Sequence, residues 1–216
     1  MMKKIIAILV IFSIAFLYLG MTSIRHNQEL KENIEQKLIR LHVVANSDSP
    51  EDQSLKRRVK DQIIKEMSIK LKDAKNIDET RRIIKENIPE IEKIAQKEVQ
   101  KSGKNYPVKA VLGIFSFPTK SYGPITLPAG NYEALKIVIG EGKGSNWWCV
   151  LFPPLCFIDV THAVPADAEK ELSKVLTKEE IEYIKGKPRF KSLEIMESIL
   201  NKIRNLRIAT AKRDGS

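Results

Sequence analysis

Three histidines, two cysteines and a scatter of serines and carboxylates are the groups in this chain that could do acid–base or covalent chemistry, and their spacing offers little of it. His26 lies in a polar stretch. His42 sits among apolar neighbours in a strand-like run, where a satisfied core or edge histidine is the usual case. His162 follows Asp159 by three residues, but no third ligand is near and the H-E-x-x-H zinc pattern is missing. Cys149 and Cys156, with six residues between them, cannot supply a zinc site by themselves. Ser116 and Ser121 lack the G-x-S-x-G context of an activated nucleophile. Gly140, Gly142 and Gly144 look only loosely like a phosphate loop, because G-x-x-x-x-G-K-[ST] is absent and a strand follows where a helix N-terminus is needed. A tight hairpin turn explains these glycines better. No catalytic, cofactor-binding or metal-binding residue is therefore assigned. An exported hydrolase whose catalytic groups converge from distant positions is the alternative.

The conspicuous stretch is apolar. Residues 146–157 hold both tryptophans and both cysteines of the 216-residue chain. The run Asn131 to Ile139 precedes them, and the two runs joined by the glycines read as a β-hairpin. The second arm folds back at Pro153-Pro154, where no backbone N–H is available for a ladder. Such a segment is either the core of the domain or a surface kept apolar for a partner. Side chains alternate along a strand, so Trp148, Val150 and Phe152 share one face and Trp147, Cys149 and Leu151 the other. One face can meet helices and the other a partner. If the protein acts by binding, its affinity concentrates in a few aromatic anchors. Trp147, Trp148, Phe152, Pro153, Pro154 and Leu155 are the candidates, with the Phe152–Leu155 tip read as the exposed part.

The elements that position this segment follow from compartment and periodicity. Lys3 and Lys4 precede a run from Ile5 to Met21 without a single charge. Its 17 residues span about 25 Å as a helix, near the thickness of a bilayer core. The run is a signal peptide or an N-terminal anchor, and the two lysines ahead of it place everything after Thr22 outside the cytoplasm. No cysteine follows the run to take a lipid. In an extracytoplasmic compartment Cys149 and Cys156 read as a disulfide, which stabilises a loop this short by roughly 2–3 kcal/mol in the chain-entropy model. Two buried free thiols are the alternative. The net charge of +10 suits an anionic membrane surface or cell-wall polymer. Nucleic acid is not expected, since the basic residues lie along helical segments and no binding signature accompanies them.

Four segments result: residues 1–22 as signal peptide or anchor, 23–38 as a polar juxtamembrane stalk, 39–186 as an extracytoplasmic domain, and 187–216 as a C-terminal helix and basic tail. Ile39 to Ala45 reads as the first strand. Ser49, Pro50 and Asp52 then form an N-terminal capping signal for a helix with Leu55, Val59, Ile63, Met67 and Leu71 four apart. Asp78 caps a second helix, and Pro89 kinks it or starts a third. Val108 to Phe117 is a strand, followed by turn-rich sequence. Thr177 with Glu180 makes a capping box for a short helix. Strand, helices, several strands, then helices give an α+β fold, with one antiparallel sheet packed on helices.

Three stretches together resemble the stage II sporulation protein R family of endospore-forming bacteria. They are Arg40-Leu41-His42-Val43-Val44-Ala45-Asn46-Ser47-Asp48-Ser49 with Gln53, Leu55 and Lys56; Ser116-Phe117-Pro118-Thr119-Lys120 with Tyr122-Gly123, running into Pro128-Ala129-Gly130 and Tyr132-Glu133-Ala134; and Gly144, then Asn146 through Cys156. The match covers roughly residues 39–159. The resemblance implies a secreted signalling protein, made in the forespore and exported into the space between forespore and mother cell. There it would activate the extracytoplasmic part of a mother-cell membrane protease of aspartic type, which cleaves the precursor of the mother cell's first sigma factor. The family brings no catalytic residues to carry over. A cell-wall hydrolase or cell-wall-binding module is the competing class. A reporter active only in the cytoplasm, fused after Ser216, is expected to be silent. Strong cytoplasmic signal from the intact fusion contradicts the topology.

Overall fold

The computed structural model describes residues 2–157 and 165–186. Its organising element is the short strand β1 (Ile39–Val44), buried along its whole length. Ile39, Leu41 and Val43 point to one face and Arg40 and His42 to the other, as period two requires. β1 lies inside a four-stranded sheet of order β2-β5-β1-β6, formed with β2 (Val108–Phe117), β5 (Gly130–Ile139) and β6 (Asn146–Phe152). It runs parallel to β5 and antiparallel to β6, while β2 is antiparallel to β5. The α+β class is as expected, but the sheet is mixed and not antiparallel.

The expected hairpin is absent. The two arms joined by the glycines are β5 and β6, and β1 is inserted between them. They therefore stand two strand spacings apart, roughly 10 Å, and the connection of residues 140–145 must arch over the end of β1. It is bonded to the chain leaving β1: Lys143 N–H donates to Asn46 O at 3.1 Å and Gly144 N–H to Ala45 O at 3.0 Å. This contact explains Gly140 and Gly144, while Gly142, at φ +64°, bonds back to Ile139 O at 3.2 Å in a turn. A Cβ on Gly144 would lie 2.2 Å from the Ser47 carbonyl oxygen, and Gly140 has φ +60° beside the Asn46 side chain.

Helices cover one face. Ser49 accepts from the Asp52 N–H at 3.2 Å and opens α2 (Pro50–Lys70), with Pro50 in its first turn. Its stripe of Leu55, Val59, Ile63, Met67 and Leu71 is buried against Ile39, Leu41, Val43, Ile137 and Leu151. Each such side chain contributes about 1.5–3 kcal/mol by leaving water. α3 (Ile77–Glu86) is capped by Asn76, not by Asp78, because the Asn76 side chain reaches the Glu79 N–H at 2.9 Å while Asp78 pairs with Arg81. Pro89 stands in the first turn of α4 (Ile88–Lys101), so it starts a helix without kinking one. Ile84, Ile91, Ala95 and Val99 complete this layer.

The opposite face is covered too. α1 (Met2–Lys37) is one continuous helix, and Leu30, Ile34 and, just after it, Leu38 are buried. The segment expected as a stalk therefore packs on the domain. β3 (Lys120–Tyr122) and β4 (Ile125–Leu127) form a small second sheet inside sequence read only as turns. α5 (Pro165–Leu172) and α6 (Lys178–Ile184) close this side. The Thr177–Glu180 capping box forms as expected, and the same Glu180 takes the Lys37 ammonium at 2.7 Å. His26 of α1 meets Glu179 at 2.6 Å. The uncharged run from Ile5 to Met21 falls partly on residues whose side chains lie outside the description. Among the described residues, no helix is long and apolar enough to cross a membrane. Phe12, Phe16, Tyr18 and Ile24 are exposed. His162, Asp159 and the C-terminal segment 187–216 lie outside the described residues.

Gly144→Ala is expected to lower stability by about 1–3 kcal/mol through overpacking against Ser47. Gly20→Ala, in an exposed turn of α1 with open space around it, is neutral or slightly stabilising. Denaturant midpoints of the two variants check this, and an unchanged midpoint for Gly144→Ala contradicts the arch.

Candidate functional site

The apolar segment is packed on both faces. After β6 the chain reverses through Phe152-Pro153-Pro154 into a short 3-10 turn at Leu155–Phe157, and Cys149 is bonded to Cys156 with their Cα atoms 5.6 Å apart. Trp147 faces α2, where the Lys60 ammonium lies 4.2 Å from the indole centroid. Trp148 faces the other way and stacks on His42 at 3.8 Å and 22°. It also meets Phe117 edge-on at 4.6 Å. The alternation from Trp147 to Leu151 is thus as the sequence suggests.

The tip is not free. Pro153 and Leu155 are buried, and Phe152 and Pro154 are half-buried, like the two tryptophans. The physical cause is an irregularity in register: Arg40 opposes Val150, but Ile39 opposes Phe152, so Leu151 is skipped. The extra residue turns Phe152 onto the α2 side with Cys149 and Leu151, while Leu155 tucks under the opposite face with Val150. Among the described residues both faces of the strand are covered; apart from the exposed Asn146 at its start, the outer parts of Trp147, Trp148, Phe152 and Pro154 are what residues 146–155 bring to the surface.

Beneath Trp148 lies a buried polar belt that the sequence reading did not find. Arg40 is fully buried, with its guanidinium carbon 4.1 Å from the Phe117 centroid and 4.8 Å from that of Tyr132. Its Nη2 donates to the Tyr122 hydroxyl at 2.9 Å, and that hydroxyl reaches the Trp148 carbonyl at 3.3 Å. Arg40 Nε and Nη1 have no hydrogen-bond partner among the described residues. His42 contacts the Asn146 amide oxygen through Nε2 at 2.8 Å. Burial lowers its pKa to about 4, with the nearby Lys136 and Arg40 charges adding to the effect and the Asn146 hydrogen bond opposing it. Burial likewise raises the Tyr122 and Tyr132 hydroxyls. His42 is therefore neutral at neutral pH, held between an indole face and an amide. The signal for this belt was two ionisable residues at alternate positions of a strand otherwise made of Ile, Leu and Val.

A second polar cluster closes the exit of β1. The Asn46 side chain donates to Asp52 Oδ2 at 2.8 Å and accepts from the Glu141 N–H at 3.0 Å. Ser47 Oγ donates to the same Asp52 oxygen at 2.6 Å, so Asp52 turns towards the loop and does not complete the expected capping box. Burial pushes the Asp52 carboxyl up, but these hydrogen bonds hold it below the ordinary carboxylate range. Asp48 accepts from the Ser145 N–H at 2.6 Å, which lowers its pKa. The buried Lys56 ammonium donates to Gln53 Oε1 at 2.6 Å and to Ser145 O at 2.8 Å. Its pKa is lowered by burial and then by Arg57. These residues latch the 140–145 arch onto the loop after β1.

A cleft of about 570 Å³ lies between α1, α3 and the sheet, lined by Glu32, Glu35, Asp78, Arg81, Ile114 and Glu133 among others. Arg81 Nε donates to Glu133 at 2.8 Å. Among the described residues no group of three or more His, Cys, Asp or Glu side chains could hold a metal ion.

The family described as Stage II sporulation protein R (spore_II_R) matches residues 35–162, from the last turn of α1 past the end of β6. The chain is similar to the Stage II sporulation protein R of Bacillus subtilis (strain 168), at 46% identity over 156 residues, which is 71% of this chain and 70% of that protein. No solved structure matches.

The depressed pKa of His42 has a testable sign. The unfolded chain binds the His42 proton more readily than the folded one between pH 6.5 and about 4. Stability from this group is therefore complete above pH 6.5 and falls as the pH is lowered through that window. Titration of the His42 ring signals by NMR is expected to give a midpoint near 4. A midpoint at the ordinary value near 6.5 contradicts the buried stack.

Proposed function

Because the chain belongs to the stage II sporulation protein R family, we propose that it is an exported sporulation signal that activates a membrane-bound aspartic protease and so leads to processing of the mother-cell sigma factor precursor. Membership gives the chain its role in sporulation. The step to protease activation rests on the family resemblance of the Arg40–Ser49, Ser116–Ala134 and Gly144–Cys156 stretches. The observation that best supports action by binding is the construction of β6. A disulfide, two prolines and two packed tryptophans fix the half-buried side chains of Trp147, Trp148, Phe152 and Pro154 in place. Rigid, partly exposed aromatics lose little entropy on association. In this reading Pro153 and Leu155 hold the contact from below. The domain works in the space between the two membranes, and the exposed apolar turns of α1 fit an anchor at the start of the chain.

Co-expression of the full chain with the protease and the sigma precursor in a non-sporulating cell tests the reading. Precursor cleavage is expected only when all three are present. Phe152→Ser combined with Pro154→Ala is expected to lower cleavage by at least about tenfold, equivalent to roughly 1.4 kcal/mol of lost contact, with the disulfide still formed. Cleavage without the chain, or full cleavage with the double variant, contradicts the reading.

A further inference from the structure

The sheet ends in two edges, and the one formed by β2 is half covered. The bond from Gly140 N–H to Pro107 O at 2.8 Å continues the β2–β5 register and marks Pro107 as a position facing β5. By alternation, Lys109, Val111, Gly113 and Phe115 also spend their backbone groups on β5, and Ala110, Leu112, Ile114 and Ser116 direct theirs outward. The Ala110 N–H agrees, since it donates to the Glu92 carboxylate of α4 at 2.8 Å. Glu92 is where the cover stops. Beyond it the outward backbone groups of Leu112, Ile114 and Ser116 have no partner among the described residues. Beside them Ile114 is 68% exposed and Val111 38% exposed.

Natural sheets blunt such edges with charges, prolines, bulges or a covering element. Here the second half of a ten-residue strand carries no charge or proline, has no covering element among the described residues, and shows a β-branched side chain to solvent. Ile114 is also a wall of the cleft that Glu32, Glu35, Asp78 and Glu133 make acidic in a chain of net charge +10. Arg81 offsets part of that charge through Glu133 and Asp78, and Lys31 offsets part through Glu35 at 3.7 Å, so the four carboxylates outnumber the two cations.

We propose that the open half of β2, with the adjoining acidic cleft, is a docking edge that takes an extended segment of a partner protein as an added strand, with a Lys or Arg of that segment entering the cleft. Main-chain bonds to Leu112, Ile114 and Ser116 give the affinity, and the carboxylates select the charge. A second copy of this chain fits poorly, because two-fold pairing about Ile114 sets two acidic clefts side by side. This edge lies across the sheet from β6, so the inference does not rest on the contact proposed above.

The test uses the full chain in detergent micelles and a fluorescent peptide of about eight residues alternating valine and lysine, supplied up to about 1 mM. Peptide binding is expected to slow amide exchange at Leu112, Ile114 and Ser116, which are unprotected in the free chain. The same peptide with glutamate for lysine is expected to bind at least about tenfold more weakly. Ile114→Pro removes an outward N–H that the β2–β5 ladder does not use, and it abolishes binding. Ile114→Lys keeps the backbone donor in case the proline variant fails to fold, and it weakens the basic peptide by about tenfold or more. The proposal is overturned by unchanged exchange at the three amides, by equal binding of the acidic peptide, or by wild-type affinity in Ile114→Lys. Dimerisation of the chain through this edge, lost in Ile114→Lys, overturns the assigned occupant.

Discussion

The six residues of β1 are bonded on both edges and covered on both faces, and most of the molecule is arranged to make that possible. A strand so placed must receive its neighbours from distant parts of the chain: β5 begins 86 residues after Val44, and β6 follows only after the arch of residues 140–145. Because the arch crosses the chain leaving β1 at backbone contact, Gly140 and Gly144 answer to Asn46 and Ser47, while Gly142, at φ +64° and bonded back to Ile139 O at 3.2 Å, serves a turn within the arch. The Asn46, Ser47, Asp48, Asp52 and Lys56 bonds then hold two loops together that share no regular structure.

Two-sided burial also fixes what β1 can carry. On the α2 side it offers only Ile39, Leu41 and Val43. On the other side it buries a cation and an imidazole, which costs several kcal/mol where a charge lacks its partner. The compensation is aromatic. Phe117, Tyr132 and Tyr122 surround the Arg40 guanidinium, and Trp148 and Asn146 occupy the His42 ring. Each cation–π contact of this desolvated kind contributes on the order of 1–2 kcal/mol. The same tryptophan that looks like a partner anchor in the sequence therefore has a structural task as well.

The sequence was most legible where a signal is local. The stripe from Leu55 to Leu71, the Ser49 cap, the Thr177–Glu180 box and the strand from Val108 to Phe117 all involve residues within one element, and each is found as read. Pairing was not legible. Two apolar runs joined by glycines look like a hairpin unless it is known that Ile39–Val44 lies between them, and nothing near residues 140–145 says so. β3 and β4 are three residues each, too short for alternation to show. The Phe152–Leu155 tip was misread because one skipped residue, Leu151, exchanges which face each side chain meets. Asn76 replaced Asp78 as a cap because both are good capping residues two positions apart, and backbone geometry chose between them.

What the domain offers outward is correspondingly limited: a rigid aromatic rim along β6, an open half-edge on β2, and the apolar turns of α1. The first two depend on β1 holding the sheet together. Native-state amide exchange on the full chain tests that dependence most directly. Every amide from Arg40 to Val44 is expected to be protected, alternate ones by β5 and by β6, and to exchange only on global unfolding. Unprotected exchange at every second amide of this strand would instead make β1 an edge and pair β5 with β6, contradicting its place between them.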